Sequence, residues 1–387
     1  MDAENNFMDK TKSNQKSRRQ ILKLIKDSGQ ISRAELAKLT GLTRPTVSAI
    51  INELDVLGLI NETGKGESCG GKRPIMLELN KKSFYAVGID LGDDFQIRGV
   101  LCDLHGNVVK REELEYENRF ECILEVLVKL IEKLTAGTEP EKIKGVGIAI
   151  SGIVDTETNE VISSKTFDIE NKKLAKKLAG RCSFKIILEN RPNAAALAET
   201  EFGAGKNFRN LVYITSGRGV GAGIVIDGKI FRGSFGTAGE IGEMLVPEPS
   251  GNAVAGKCFL QEMTRTKAIC EAAAQVKHRK ITYQEVLQAY QDGDPEIIAI
   301  IDKNAEYMAY AAQLVAKLLN PEAIILGGRA LELGEKYFAS FKKFFESGFA
   351  GSDASSKTEV RYSACGRLGV AVGGAAVVLD MVMNFKI

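Results

Sequence analysis

The hydrophobic period of this chain changes once, close to Ser83, and that change limits what each part can fold into. Before it, apolar residues recur at helical spacing between capping residues and glycine breaks. After it, short apolar runs alternate with amphipathic helical segments, which is the pattern of an α/β body. At 387 residues the chain is long enough for a small N-terminal domain and a larger body with its own core.

Within the first eighty residues, Gln15–Asp27 reads as an amphipathic helix with Ile21, Leu22, Leu24 and Ile25 on its apolar side, broken by Ser28-Gly29-Gln30. Ser32 is placed to cap a second helix, Arg33–Leu39, with Glu35 completing a capping box and Thr40-Gly41 ending it. Thr43 caps a third helix reaching about Leu57, and Pro45 sits in its first turn, where a missing N–H costs nothing. Val47, Ile50, Ile51 and Leu54 face inward from it. Leu59-Ile60-Asn61 and Pro74–Leu79 then read as two strands around a glycine-rich tip, Glu62–Lys72. Helix, glycine turn, helix and hairpin together predict an α+β winged helix-turn-helix over residues 1–80. A bundle that only contacts other proteins is the competing reading, and it gives no reason for the wing.

A recognition helix offers its N-terminal side chains to the major groove, here Thr43, Arg44, Thr46 and Ser48, with Arg33 on the preceding helix. The Arg44 fork matches guanine O6 and N7, although a phosphate clamp would use the same group. Lys72 and Arg73, in Gly70-Gly71-Lys72-Arg73-Pro74, suit a minor groove, or else form a solvated linker. Net charge is only +2, so any attraction to nucleic acid must be local; Thr11–Lys26 holds six basic residues and no acidic one.

Seven cysteines lie scattered without a CxxC pair, which fits reduced thiols better than a disulfide framework. The polar start, Met1-Asp2-Ala3-Glu4-Asn5-Asn6, does not resemble a signal peptide, and no apolar run is expected to reach membrane-spanning length. A soluble, cytoplasmic protein without a membrane partner is the expectation.

In the body, Phe84–Asp90, Arg98–Leu104, Asn107–Leu114 and Gly145–Ile150 read as strands, and Cys122–Leu134 as an amphipathic helix. Five segments then recur in a familiar order. They are Gly88–Gly92; Leu188-Glu189-Asn190 with Asn193–Glu199; Tyr213–Gly223; Thr237–Gly242; and Asn320–Gly328. In this order and spacing the chain resembles the ROK family of repressors, open reading frames and sugar kinases. The resemblance covers 81–387, and the N-terminal domain is similar to that of the repressor branch, of the xylose and N-acetylglucosamine type. It implies an actin-like α/β body of two lobes closing over sugar and ATP. One lobe is expected over 81–200, completed by a C-terminal helix over 368–387, and the other over 201–367.

Against the family pattern, the residues for phosphoryl transfer are altered. The first phosphate loop usually continues Gly-Gly-Thr after the aspartate, whereas here Asp90-Leu91 is followed by Gly92-Asp93-Asp94, whose carboxylates would repel ATP. Kinases place a catalytic aspartate after the asparagine; here Asn190 is followed by Arg191, whose guanidinium cannot act as a general base. The second phosphate loop reads Gly217-Arg218-Gly219 in place of Gly-Thr-Gly, and the adenosine segment ends Gly327-Gly328-Arg329. Arg218 and Arg329 could hold an anion or simply face solvent. The glycines are expected to survive as turns of a degenerate nucleotide site, with neither ATP nor Mg²⁺ bound.

The resemblance also implies a structural zinc held by a histidine and three cysteines. Glu243 stands at the histidine position and Gly251–Phe259 supplies only Cys258, so no zinc is expected. The sugar cleft is better kept. Asn190 and Glu240 match sugar-binding positions, Glu243 and Gln261 fall beside them, and Ser151-Gly152 borders the same cleft. Amides and carboxylates grip paired hydroxyls, though capping or loop bracing would also explain Asn190 and Glu240. The expectation is a dimeric repressor of operator DNA with a sugar or sugar derivative as effector. The rival is an ATP-dependent sugar kinase, of glucose or N-acetylglucosamine type, with an appended DNA-binding domain. A scaffold with an empty cleft is a third reading, set back by the retained Asn190 and Glu240.

Overall fold

Local capping lays out the N-terminal domain. The computed structural model describes residues 2–66, 73–92, 94–164, 166–167, 169, 173–247, 257–349 and 357–385. It opens with α1 (Asp2–Ser28), strand β1 (Ile31–Ser32), α2 (Arg33–Thr40) and α3 (Arg44–Val56). Glu35 N–H donates to Ser32 Oγ, and Ser32 N–H donates back to the Glu35 carboxylate at 2.9 Å, which completes the capping box. Gly41 ends α2 at φ 70°, and Thr43 caps α3. The wing strands are β2 (Ile60–Lys65) and β3 (Ile75–Leu79), and β1 pairs with β3, giving the order β1-β3-β2. Three details depart from the sequence reading. The first helix starts at Asp2, since no Pro or Gly interrupts the segment before Gln15. The second strand runs into the expected hairpin tip as far as Lys65, and β1 is too short to carry an alternation signal. Residues 67–72, with Lys72, lie outside the described residues.

The first lobe begins with β4 (Tyr85–Leu91), β5 (Gln96–Asp103), β6 (Val108–Glu115), α4 (Phe120–Thr135) and β7 (Ile143–Ile150). It continues with β8 (Ile153–Asp155), β9 (Glu160–Ser163), α5 (Leu174–Ala179), β10 (Ile186–Asn190) and α6 (Arg191–Phe202). Its sheet has the order β10-β7-β4-β5-β6. The apolar stripe of α4, including Leu127, Leu130 and Leu134, packs with Ile89, Ile97 and Ile148 of that sheet.

In the second lobe come β11 (Leu211–Ser216), β12 (Val220–Ile226), β13 (Lys229–Ile230), β14 (Leu245–Pro247) and β15 (Lys257–Phe259). Helices α7 (Leu260–Thr264), α8 (Thr266–Lys277), α9 (Tyr283–Gln291) and α10 (Pro295–Leu319) follow. The chain then forms β16 (Ala323–Gly328), α11 (Gly334–Ser347), β17 (Glu359–Tyr362) and α12 (Gly369–Met383). The sheet order β13-β12-β11-β16-β17 repeats the first lobe's plan of an antiparallel hairpin set beside two parallel strands.

One expectation needs correcting. Gly366–Met383 is long and apolar enough by composition to cross a membrane. Its small residues instead let α12 lie directly on the first sheet and on α6: a Cβ at Gly147 would sit 1.9 Å from the Gly374 carbonyl oxygen, and one at Gly373 1.9 Å from that of Ala194. Ala371, Ala375, Val378 and Leu379 of α12 share one apolar cluster with Ile21, Leu22 and Ile25 of α1 and with Leu77 and Leu79 of the wing. The DNA-binding-type domain therefore has no core of its own separate from the body.

Candidate functional site

Asp90 ends the apolar run of β4 and is buried, with only 3% of its side chain exposed. Arg191, the first residue of α6, donates to it from Nε at 2.7 Å and from Nη2 at 3.2 Å, a fork on a carboxylate. Its Nη1 lies 3.4 Å from Ser151 Oγ. Arg98 faces Asp90 across the β4–β5 pair and approaches it to 4.0 Å. The same Arg98 donates to Asp94 and pairs with Glu113 at 3.0 Å. Burial raises the Asp94 carboxyl, but the hydrogen bond and charge of Arg98 outweigh it and hold the group below its ordinary value. Asp94 thus turns to Arg98, and Asp93 lies outside the described residues. Arg98 was missed in the sequence, although a lone arginine in the apolar strand Gln96–Asp103 was the available signal.

The other two loops expected to resemble nucleotide loops likewise carry partnered arginines. Arg218, at the tip of the β11–β12 hairpin between Gly217 and Gly219, stacks its guanidinium 5.3 Å from the Phe95 ring centroid. Phe95 belongs to the turn after Gly92, so the two loops expected to resemble phosphate loops meet across the lobes. Tyr116 donates to the Gly92 carbonyl at 2.6 Å and holds that turn. Arg329 stacks 5.0 Å from Tyr283. Neither arginine simply faces solvent. Gly327 and Gly328 are explained by packing: side chains there would meet Tyr213 Oη at 2.0 Å and Thr215 Oγ1 at 2.2 Å.

Of the residues expected to bind sugar, the structure brings Ser151, Gly152 and Asn190 together with Arg191 where β7 and β10 end. Asn190 is the N-cap residue of α6, yet its side chain makes no capping bond; Nδ2 donates to the Gly152 carbonyl at 2.8 Å. Beneath them Glu189, 2% exposed, accepts from Asn193 Nδ2 at 3.1 Å and pairs with Arg232 of the opposing lobe. Arg232 was missed by sequence reasoning, its only signal being its place just before Gly233 in the loop leading to Glu240. That loop also approaches the first lobe at Gly236, where a Cβ would lie 3.2 Å from the Val154 carbonyl oxygen. Glu240 and Glu243 are exposed at the short helical turn Ile241–Glu243, and half-buried Gln261 on α7 stands beside Gly242. These three lie on the second lobe, whereas Asn190 and Ser151 belong to the first. Among the described residues, no group of three or more His, Cys, Asp or Glu is placed to hold a metal; residues 251–256 lie outside them.

Thr43 and Arg44 are exposed, and Thr46 and Ser48 are half-exposed at the start of α3. The Thr43 hydroxyl is engaged with Thr46, at 2.8 Å between their oxygens, so it braces the helix start. Arg33 pairs with Glu62 of the wing at 2.9 Å, and Arg73 is exposed at the foot of β3.

A two-lobed body of the sugar-kinase kind, joined to a winged helix-turn-helix, is the class of protein that this fold defines. Residues 86–381 match the ROK family and residues 15–61 a winged helix-turn-helix DNA-binding family. The chain belongs to the ROK family. It is 30% identical to a xylose repressor of Bacillus subtilis over 93% of this chain and 94% of that one. A xylose repressor of Caldicellulosiruptor bescii is 31% identical, over 94% and 96% of the two chains. Its fold is that of a solved ROK family transcriptional regulator, a homologue of the E. coli MLC protein, with a TM-score of 0.79, 23% identity and coverage of 96% and 97%. It is a ROK-family regulator, similar to xylose repressors, that carries a winged helix-turn-helix DNA-binding domain.

Proposed function

We propose that this protein represses transcription in the cytoplasm by binding operator DNA as a homodimer, and that a small sugar in the interlobe cleft changes its DNA affinity. Similarity to xylose repressors makes D-xylose the first effector to test. Residues 1–80 read DNA in this scheme, and the lobes 81–200 with 368–387, and 201–367, close on the sugar. Ser151, Gly152, Asn190, Glu240, Glu243 and Gln261 line its site. Two half-sites on one symmetric dimer supply the base pairs that one short recognition helix cannot.

The observation that carries the non-enzymatic reading is the fork of Arg191 on Asp90 at 2.7 and 3.2 Å. Phosphoryl transfer in this fold needs a general base at residue 191 and a free carboxylate at residue 90 near the phosphates. Here one residue removes both, since an arginine accepts no proton and its charge is spent on the aspartate. Loss of a general base alone typically lowers rate by ~10²–10⁴. The test is a coupled ATP assay with Mg²⁺ and D-xylose, D-glucose or N-acetylglucosamine, beside calorimetric binding of the same sugars without nucleotide. Sugar binding without turnover is expected, and robust turnover abolished by Arg191→Ala would overturn the reading.

A further inference from the structure

One helix touches both ends of the proposed switch. Helix α6 starts at Arg191, forked on Asp90 beside Asn190 and Ser151, and ends at Phe202. Its 12 residues span about 18 Å at the usual helical rise. At the far end Glu201 pairs with Lys26 of α1 at 2.5 Å, with 12% of the lysine side chain exposed. The same ammonium lies 4.9 Å from the centroid of the Phe202 ring. Phe202 in turn covers Gly106, where a Cβ would come within 2.5 Å of it.

Between its ends the helix has little room to absorb a displacement. Ala194, Ala195, Ala196 and Ala198 are buried, and at Gly373 the α12 backbone approaches the Ala194 carbonyl. Backbone laid on backbone has no flexible side chain to yield, so a shift at one end is transmitted, not dissipated. Glu199, 1% exposed, accepts from Ala204 N–H at 2.7 Å just past the helix and fastens it to the segment leading into α12 by accepting from Ser363 Oγ at 2.5 Å and Cys365 N–H at 3.0 Å. Ala198 itself belongs to the apolar cluster shared with Ile21, Leu22 and Ile25 of α1.

From this juxtaposition we propose that α6 carries the state of the cleft to the winged helix-turn-helix, with Lys26, Glu201 and Phe202 as the positioning residues at its joint with α1. The inference rests on the sugar-responsive reading above and names the route by which that response travels. A sugar that draws on Arg191 or Asn190 re-seats the first turn of α6, and the Glu201–Lys26 joint re-seats α1 with it. Coupling then depends on the joint, while sugar affinity and sugar-free DNA affinity do not.

The test uses the full chain, D-xylose, and a duplex selected by the protein from a random-sequence pool. The coupling factor is the ratio of DNA affinities without and with xylose, and ratios of about 5–150 are typical of such linkage. E201Q keeps shape and removes charge. It is expected to leave xylose affinity and sugar-free DNA affinity within about twofold while the coupling factor falls toward one. The charge-exchanged K26E/E201K protein is expected to recover at least half of the native coupling. Hydrogen exchange supplies a second readout: xylose is expected to change amide protection over residues 20–28 in the native protein but not in E201Q. Native coupling in both E201Q and F202L would overturn the inference. A native protein whose DNA affinity ignores xylose and every other sugar would bring down the parent reading first, and that result is visible before any variant is made.

Discussion

Arg191 and Asp90 sit 101 residues apart in sequence and form a two-pronged ion pair between the end of β4 and the start of α6. In the proposed reading, the pair stands where a kinase of this fold would keep its general base and its phosphate-side carboxylate. Because Asp90 is 97% buried by side chain while Arg191 keeps 20% exposure, most of the cost of disruption falls on the aspartate. Arg191→Ala is expected to destabilise the protein by about 3 kcal/mol, near the lower end for a buried pair because Arg98 remains 4.0 Å away. Asp90→Asn with Arg191→Gln removes both charges and should cost less than the single change. Chemical unfolding of the two variants and of the native chain measures this, and equal costs would deny the coupling.

Much of this arrangement was legible in the sequence, and the parts that were not have physical reasons. Caps and breakers act over three or four residues, so Ser32, Glu35, Gly41 and Thr43 fixed α2 and α3 at their observed places. The substitution at Arg191 was readable because the flanking Asn190 and Asn193 hold its register. Its partner was not readable: Asp90 meets Arg191 only because β4, β7 and β10 pair in parallel, a relation with no local signature. The same holds for Phe95 beneath Arg218 and for Arg232 on Glu189, which bring the two lobes together. The apolar length of α12 was underestimated because Gly and Ala dilute it, although those residues are what seat it against two glycines of the sheet.

The capping box gives a pH-dependent marker. Hydrogen bonds from the Ser32 side chain and backbone hold the Glu35 carboxyl below its ordinary value. A carboxyl depressed on folding contributes stability that is present above its unfolded pKa and lost as pH falls through the folded one. Ser32→Ala should lower stability by about 1 kcal/mol at neutral pH and move the Glu35 titration upward. Carboxyl chemical shifts followed from pH 7 downward check the second effect, with an unmoved midpoint counting against the box.

Arg44 is exposed at the first position of α3, which suits it to base readout. Arg44→Ala should cost about 1–3 kcal/mol on the selected duplex and relax preference at one base pair. Arg73→Ala together with Lys72→Ala should instead weaken all duplexes alike and reduce the salt slope. Binding isotherms on selected and random DNA at several salt concentrations separate the roles. Uniform weakening by Arg44→Ala would make it a phosphate contact.

Metal analysis of the purified protein is expected to find less than stoichiometric zinc. Zinc in this family needs converging cysteine and histidine ligands, and Glu243 with Cys258 offers too few soft donors. One tightly held zinc per chain, retained through dialysis against a chelator, would reverse this conclusion.

The strictest prediction concerns the sugar itself. If D-xylose binds between Asn190 on one lobe and Glu240 on the other, it favours the arrangement in which both touch it, and it shifts the lobe equilibrium only by that difference in affinity. Glu240 is exposed on the second lobe, so its removal should spare the packing of α3 and α6. Glu240→Ala is therefore expected to weaken xylose binding and abolish the change in DNA affinity, while sugar-free DNA binding stays native. Linkage adds a demand that no purely structural role meets: saturating operator DNA must change xylose affinity by the same factor by which xylose changes DNA affinity. Calorimetric titration of xylose into free and DNA-bound protein measures one side, and DNA titrations with and without xylose measure the other. Unequal factors would mean that the two ligands do not act on one equilibrium, and xylose that binds without moving DNA affinity would leave the cleft a site without a regulatory role.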